Sequence, residues 1–305
     1  MSLFLLRRGL AALLLVFAVT SGAVLLAQLA PGDYASQGGR SPEQMAAERH
    51  RLGLDRPMAE QYIGWLKRTL VLDLGESFKY QRPVLGIVRE KAANTALLAL
   101  AALAVATLLG IPSGIITGSR QGGIAARLLR GASIVLLSVP PLISVLILLT
   151  IAARTGWLPV SGMDGPRNFV VPTLALALPF AAMLERLQSQ SIGDALNRPA
   201  AMAARARGIP VARIVWRHAW WQSLGPILAI YGVIIGSLFS GSFAVEYVTT
   251  WPGLGWLMID AINARDTYLV AGCAAAGAAF LAAGVLAADI AHAFTDPRIE
   301  GARGA

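Results

Sequence analysis

Polar residues in this chain collect between long apolar blocks instead of alternating with apolar positions. Six blocks, 10–29, 95–117, 132–153, 169–187, 224–245 and 269–289, reach the ~20 mostly apolar residues that a membrane-spanning helix needs. The pattern predicts an all-α, polytopic membrane protein of six transmembrane helices. The fourth block carries Pro172 and Pro179 and runs into Glu185 and Arg186. Neighbouring helices can satisfy the backbone groups that such prolines free. The first block follows Arg7 and Arg8, as a secretory signal would, but it exceeds the ~7–15 apolar residues of a signal core. Its exit, Leu29-Ala-Pro-Gly-Asp33, lacks a small-x-small cleavage pattern, so it reads as a retained helix. Gly232, Gly236 and Ser240 are spaced by four, and Gly277, Gly284 and Ala288 line one side of the sixth block. Both sets predict close helix–helix packing.

Between the first two spans, segment 30–94 is polar but retains Tyr62, Trp65, Leu66, Leu70 and Leu72. Ser41-Pro-Glu-Gln44 predicts a short helix with Ser41 as N-cap, proline at the first position and Gln44 completing a capping box. Residues 59–71 read as a second helix ending before Asp73-Leu-Gly75. The expectation is a small extracytoplasmic cap between helices 1 and 2, and a division of the chain into 1–94 and a permease core, 95–305.

Composition agrees with a membrane solvent. The chain is 56% hydrophobic and only 14% charged, against ~25% charged in a soluble domain. The net charge of +9 invites a nucleic-acid reading, which the distribution excludes: the basic residues flank apolar blocks, as cytoplasmic loops require. With a cytoplasmic N-terminus, the inner segments hold two Lys/Arg at the N-terminus, three in 118–131, six in 186–223 and two at the C-terminus, thirteen in all. The short outer loops hold three: Arg154, Arg167 and Arg265. That asymmetry predicts both termini inside; segment 30–94 is too long for its charges to vote. The single cysteine, Cys273, cannot form an intrachain disulfide and reads as a packing residue.

The stretch 188–223, between the fourth and fifth blocks, carries the candidate functional surface. Ala and Arg favour a helix over 200–207, Gly208 stands where a left-handed residue would stop it, and Pro210 suits the first turn of a second helix. In that second helix Val211, Ile214, Val215 and His218 form one stripe beside Arg213 and Arg217. A short helix, a sharp turn and an amphipathic helix make an elbow that could seat in a partner's groove or lie on anionic lipid.

Other chemistry finds little footing. Lys67, Lys79 and Lys91 are the only lysines and none follows a glycine, so no Walker A loop is written here. His50, His218 and His292 are scattered, and neither H-E-x-x-H nor G-x-S-x-G occurs. No metal ligand set and no cofactor site is expected. Glu185, Arg186, Glu246 and Asp289 lie near span ends, where snorkelling or pairing explains them better than substrate contact. No carboxylate falls mid-span, which disfavours a proton-coupled carrier.

Ala204-Arg-Ala-Arg-Gly208, followed by Arg217-His-Ala219 and Pro226, resembles the coupling loop of ABC importer permeases. The chain as a whole resembles the dipeptide/oligopeptide/nickel permease family, first-subunit type. In order, it carries Arg7-Arg8, Pro31-Gly-Asp33, Leu52-Gly-Leu-Asp-Arg-Pro57, Asp73-Leu-Gly75, Arg82-Pro-Val84, Ser138-Val-Pro140, Gly156-Trp-Leu-Pro159, Trp251-Pro-Gly-Leu-Gly255, Ala264-Arg-Asp266 and Asp296-Pro-Arg-Ile299. The resemblance implies a subunit of a bacterial inner-membrane importer of peptides or similar small solutes such as nickel chelates. It is not itself an enzyme. It would pair with a second homologous permease, two cytoplasmic ABC ATPase subunits and a periplasmic or lipid-anchored solute-binding protein. Ala204, Arg205, Ala206, Arg207, Gly208, Ile209, Pro210 and Arg213 would form the ATPase-coupling surface. The family usually has a tyrosine and an arginine-threonine pair where this chain has Ala200, Met202 and Ala203, and Arg-Asn where it has Trp221-Gln222. Both departures remove polar groups from the expected interface. The competing reading is an ion-gradient-driven secondary transporter.

Overall fold

The computed structural model describes residues 2–37, 39, 41–119, 123–162 and 165–295, so the Asp296-Pro-Arg-Ile299 motif lies outside the described residues. These residues form helices α1 (Ser2–Leu29), α2 (Pro42–Leu52), α3 (Met58–Thr69), α4 (Val84–Ser119), α5 (Ile124–Ser138), α6 (Pro141–Thr155), α7 (Val170–Leu196), α8 (Pro199–Ala206), α9 (Val211–Ile214), α10 (Trp220–Val248), α11 (Leu254–Asn263) and α12 (Thr267–Thr295). Among them there is no strand beyond one isolated bridge, Glu76 to Pro83. The protein is an all-α polytopic membrane protein. Among the described residues five helical stretches are long and apolar enough to cross a bilayer, and a bent pair raises the number to six.

The bent pair corrects the third predicted span. Residues 132–153 do not form one rod: α5 and α6 meet at 110°. The cause is Pro140-Pro141. A residue before proline is disfavoured in helical backbone, and in the Val139-Pro140-Pro141 run the chain leaves it: Val139 (ψ 114) and Pro140 (ψ 151) are both extended. Pro141 then starts α6 at a position where its missing N–H costs nothing.

The chain divides into two compact units. The first comprises Met1–Ala96 and Thr250–Ala283. Here Ser41 caps α2, with the reciprocal Ser41–Gln44 bonds of a capping box and Pro42 in the first turn. Helix α3 lies on α1, where Trp65 packs with Val24 and Ala271 and Tyr62 Oη bonds Ser21 Oγ at 3.0 Å. Sequence-distant turns are bonded to each other. Val84 N donates to Gly75 O at 2.9 Å and Ser77 N to Arg82 O at 3.0 Å. Trp251 Nε1 donates to Asn94 O at 3.3 Å, Asn94 Nδ2 to Pro252 O at 2.9 Å, and Leu254 N to Thr95 Oγ1 at 2.7 Å.

Asp266 is the polar centre of this unit and is fully buried. Its Oδ2 accepts from Ser77 Oγ at 2.6 Å and Lys79 N at 3.1 Å. Its Oδ1 accepts from Leu269 N at 3.1 Å, the position of an N-cap bond at the start of α12. Nearby, Asp260 accepts from Lys79 Nζ at 2.5 Å and Tyr80 Oη at 2.8 Å. Partial burial, then that bond to Asp260, push the Tyr80 hydroxyl well above its usual pKa.

The second unit comprises Leu97–Thr249 and Gly284–Ala305, and α7 is its hub, packed against α5, α6 and α10. Helix α4 reaches α7 through Gly110, Gly114 and Gly118. A Cβ on Gly110 would lie 2.5 Å from Ala181 O, one on Gly114 2.6 Å from Glu185 O, and one on Gly118 2.5 Å from Ser189 O. The two backbones are in contact because these side chains are absent. Gly284 in α12 likewise leaves room for Ile235 of α10, whose Cγ2 a Cβ would meet at 2.2 Å.

Candidate functional site

The elbow between α7 and α10 forms as a helix, a turn and a second helix. Helix α8 stops at Arg207, and Gly208 takes the left-handed conformation, φ 80. Gly208 N bonds Arg205 O at 2.9 Å, and Ile209 N reaches back to Ala204 O at 3.2 Å. These paired bonds consume the orphan carbonyls of a helix ended by a left-handed glycine. Nothing lies within 4 Å of a Cβ built on Gly208, so backbone conformation, not crowding, reserves the position for glycine.

Pro210 differs from expectation by one position. It is the N-cap of α9, with ψ 140, instead of the first helical residue. The second helix is also not a separate amphipathic rod. Helix α9 passes through a π-helical turn, Val215–Ala219, directly into α10, giving one continuous stretch from Val211 to Val248. The wider π turn rotates the following residues relative to 3.6-residue spacing. The buried stripe is therefore Ile214, Val215 and Ala219, while Val211 and His218 of the expected stripe are exposed.

Of the eight predicted site residues, two face inward. Ala204 is buried and Ile209 packs on the same cluster, formed by Ile192, Ala195 and Leu196 of α7, Ala201 and Ala204 of α8, and Ile214, Val215 and Ala219, with Ile115 of α4 beside them. Arg205, Ala206, Arg207, Gly208, Pro210 and Arg213 are exposed. The outer face thus carries three guanidiniums. Apolar side chains are exposed around them: Ala200, Met202 (59% exposed), Ala203, Trp216 (60%) and Trp221 (67%). Apolar anchoring of the inner face, worth ~1.5–3 kcal/mol per fully buried Ile, ties the elbow to α4 and α7, and the π turn joins it directly to α10.

Just above this cluster lies a buried polar layer that sequence reasoning missed. Gln188 is fully buried in α7 and its Nε2 donates to Ser223 Oγ of α10 at 3.0 Å. Glu185 accepts the Thr117 hydroxyl of α4. Of the two readings for Glu185, snorkelling to the interface or pairing inside the protein, the structure shows the second. Glu185 is 3% exposed, because α7 continues through Leu196 and pairing with Thr117 replaces water. Glu246 is also buried, since α10 runs on to Val248. Asp289 is half-buried and Arg186 exposed. The signal for this layer was present: Gly110, Gly114 and Gly118 have the same spacing by four as Gly232, Gly236 and Ser240.

Residues 110–301 match the family described as binding-protein-dependent transport system inner membrane component, and residues 1–100 match the N-terminal family of the same systems. The chain belongs to this family. It is a permease subunit of a binding-protein-dependent ABC importer; ATPase activity belongs to partner subunits, and the reading as an ion-gradient carrier is set aside. Among similar proteins, the oligopeptide transport system permease AppB of Bacillus subtilis is 28% identical over 98% of this chain and 100% of its own length. The dipeptide transport system permease DppB of Lactococcus lactis is 28% identical over 97% and 98%. The glutathione transport system permease GsiC of Pectobacterium atrosepticum is 32% identical over 79% and 80%. The permease subunit works with other ABC components such as an ATPase and a substrate-binding protein. Three of the sequence motifs meet in bonded turns of the first unit: Asp73-Leu-Gly75 with Arg82-Pro-Val84, and Asp266 of Ala264-Arg-Asp266 with Ser77.

Proposed function

We propose that this permease subunit passes peptides or similar small solutes across the bacterial inner membrane, and that the elbow 204–213 is where ATPase motion enters the spans. The observation that carries the reading is the two-sidedness of the elbow: an apolar inner face packed on α4 and α7 and running on into α10, and an outer face presenting Arg205, Arg207 and Arg213. A partner that displaces α8 must move α7 and α10 with it. Nucleotide drives the cycle insofar as it binds one ATPase arrangement more tightly than the other. Peptide-type substrates are supported by the names of the relatives.

In this reading both termini and the stretch 188–223 are cytoplasmic, and segment 30–94 forms an extracytoplasmic cap. The chain divides at 94/95 into an amino-terminal segment and a permease core, a division supported by the two family matches at 1–100 and 110–301. The working assembly contains this chain, a second homologous permease, two ABC ATPase subunits and a periplasmic or lipid-anchored solute-binding protein, with membrane lipid around the spans. Gly208→Cys tests the placement. A membrane-impermeant maleimide should label it in inside-out vesicles and not in right-side-out ones; the reverse pattern would refute the assignment.

A further inference from the structure

Within the first unit, a cavity of about 670 Å³ opens where α1 ends and α12 begins, a volume ordinary for a small-molecule site. Its lower wall is apolar: Leu26 and Ala27 of α1, Met258 and Ile262 of α11 and Val270 of α12. Ala23, Leu26 and Ala27 recur on one face of α1 and Ala30 follows just past its end, so the wall runs roughly 10 Å along the end of a spanning helix. The alanines leave the space. Leu25, Leu26 and Leu29 beside it are exposed, 45 to 71%, as lipid-facing positions are.

The upper rim has a different chemistry. Arg49, Arg56 and Arg265 line it, against a single carboxylate, Asp33. Arg49 Nε bonds Asp33 at 2.6 Å and Arg265 donates to the Pro31 carbonyl. A guanidinium carries five N–H donors, so each of these arginines retains donors after its bond. Gln28 also lines the cavity, and its Oε1 is buried with no hydrogen-bond partner among the described residues.

We propose that this cavity holds an anionic phospholipid of the phosphatidylglycerol type, its phosphate diester between Arg49, Arg56 and Arg265 and one acyl chain along the Leu26–Val270 wall. Three guanidiniums at a bilayer surface attract an anionic headgroup. They repel an ammonium, which disfavours zwitterionic headgroups that place a cation there. A glycerol hydroxyl of the headgroup satisfies the Gln28 oxygen. The apolar wall distinguishes a lipid from free phosphate. The proposal rests on the membrane reading of α1 and α12; with segment 30–94 extracytoplasmic, as in the proposed function, the cavity lies in the outer leaflet.

The test is a titration of the delipidated full-length chain in neutral detergent, with bound ligand counted by native mass spectrometry. The probes are dihexanoyl phosphatidylglycerol, dihexanoyl phosphatidylcholine and inorganic phosphate at matched ionic strength. One saturable phosphatidylglycerol is expected, with phosphatidylcholine about fivefold weaker or more and phosphate not retained. Arg56→Gln should weaken phosphatidylglycerol about fivefold, near the contribution of one arginine at a charged membrane surface. Ala27→Leu, which fills the wall, should abolish retention while the melting temperature of the lipid-free chain stays that of the parent. Equal phosphatidylglycerol binding by both variants would overturn the site. Equal binding of the two lipids would overturn the charge argument, and retention of phosphate alone would overturn the lipid assignment. None of these readouts involves residue 208 or ATP, so the labelling test and this one can fail independently.

Discussion

Gly114 of α4 and Gln188 of α7 touch because one of them has no side chain: a Cβ on Gly114 would stand 2.6 Å from the Gln188 Cβ. The contact sits between Gly110 and Gly118, one helical repeat away on either side, and it holds Gln188 where its amide can bond Ser223 of α10. Three helices are therefore joined at one level by a missing methyl group and one hydrogen bond.

Gly114→Ala should destabilise the detergent-solubilised subunit by about 1–3 kcal/mol, the usual cost of overpacking a tight interior. The atoms it would strike include the Glu185 carbonyl at 2.6 Å, which belongs to a helix backbone and cannot rotate away. Gly131→Ala in α5, with nothing within 4 Å of its Cβ, should be neutral or stabilise by up to ~1 kcal/mol. Melting temperatures of the two variants, measured side by side, should move in different directions or by clearly different amounts.

Gly208→Val should abolish solute uptake while membrane insertion and ATP hydrolysis by the partner persist. A β-branched residue at φ 80 strains the backbone by about 1–3 kcal/mol, and the turn can relieve that strain by giving up the Ile209 N to Ala204 O bond. Gly208→Asn should keep most of the uptake, because Asn tolerates left-handed backbone and the surrounding space is open. Transport assays on vesicles containing the full importer separate the two variants; equal uptake by both would remove Gly208 from the coupling role.

Asp266→Ala should cost about 2–4 kcal/mol. Three donors, the Ser77 hydroxyl and the Lys79 and Leu269 amides, would lose their acceptor, and α12 would lose its N-terminal cap. Limited proteolysis of segment 30–94 should accelerate in this variant, since that carboxylate ties Ser77 and Lys79 to the start of α12.

Tyr80 offers a pH-dependent check. Its hydroxyl titrates above the ordinary value of 10.0 in the folded chain because of partial burial and its bond to Asp260. A raised folded pKa means the stabilising contribution is complete below the unfolded value and is lost as pH climbs from there through the folded one. Stability of the parent should accordingly fall more steeply above about pH 10 than that of Tyr80→Phe, which has no proton to lose there. Parallel slopes in alkaline thermal melts would show that neither burial nor the Asp260 bond raises the hydroxyl's pKa in the folded chain.

The membrane class, the helical content and the positions of five spans were legible in the chain because lipid imposes a long apolar block on any helix that crosses it. The Ser41–Gln44 capping box and the left-handed turn at Gly208 were equally legible, since caps and turns depend on residues a few positions apart. Those features need no knowledge of what packs against what. The broken third span was readable in principle from Pro140-Pro141, but apolar length alone passed over it.

Tertiary structure decided the rest. Which face of the elbow is buried depended on a π turn at Val215–Ala219, and neither apolar length nor 3.6-residue spacing announces such a turn. Glu185 and Glu246 are interior residues because of the helices around them, not because of their distance from a span end. The union of Ser77 with Asp266 bridges 189 positions. Periodicity and spacing report only on neighbours within a turn or two of chain, whereas burial, pairing of distant polar groups and cavity shape are set by segments that meet only after folding.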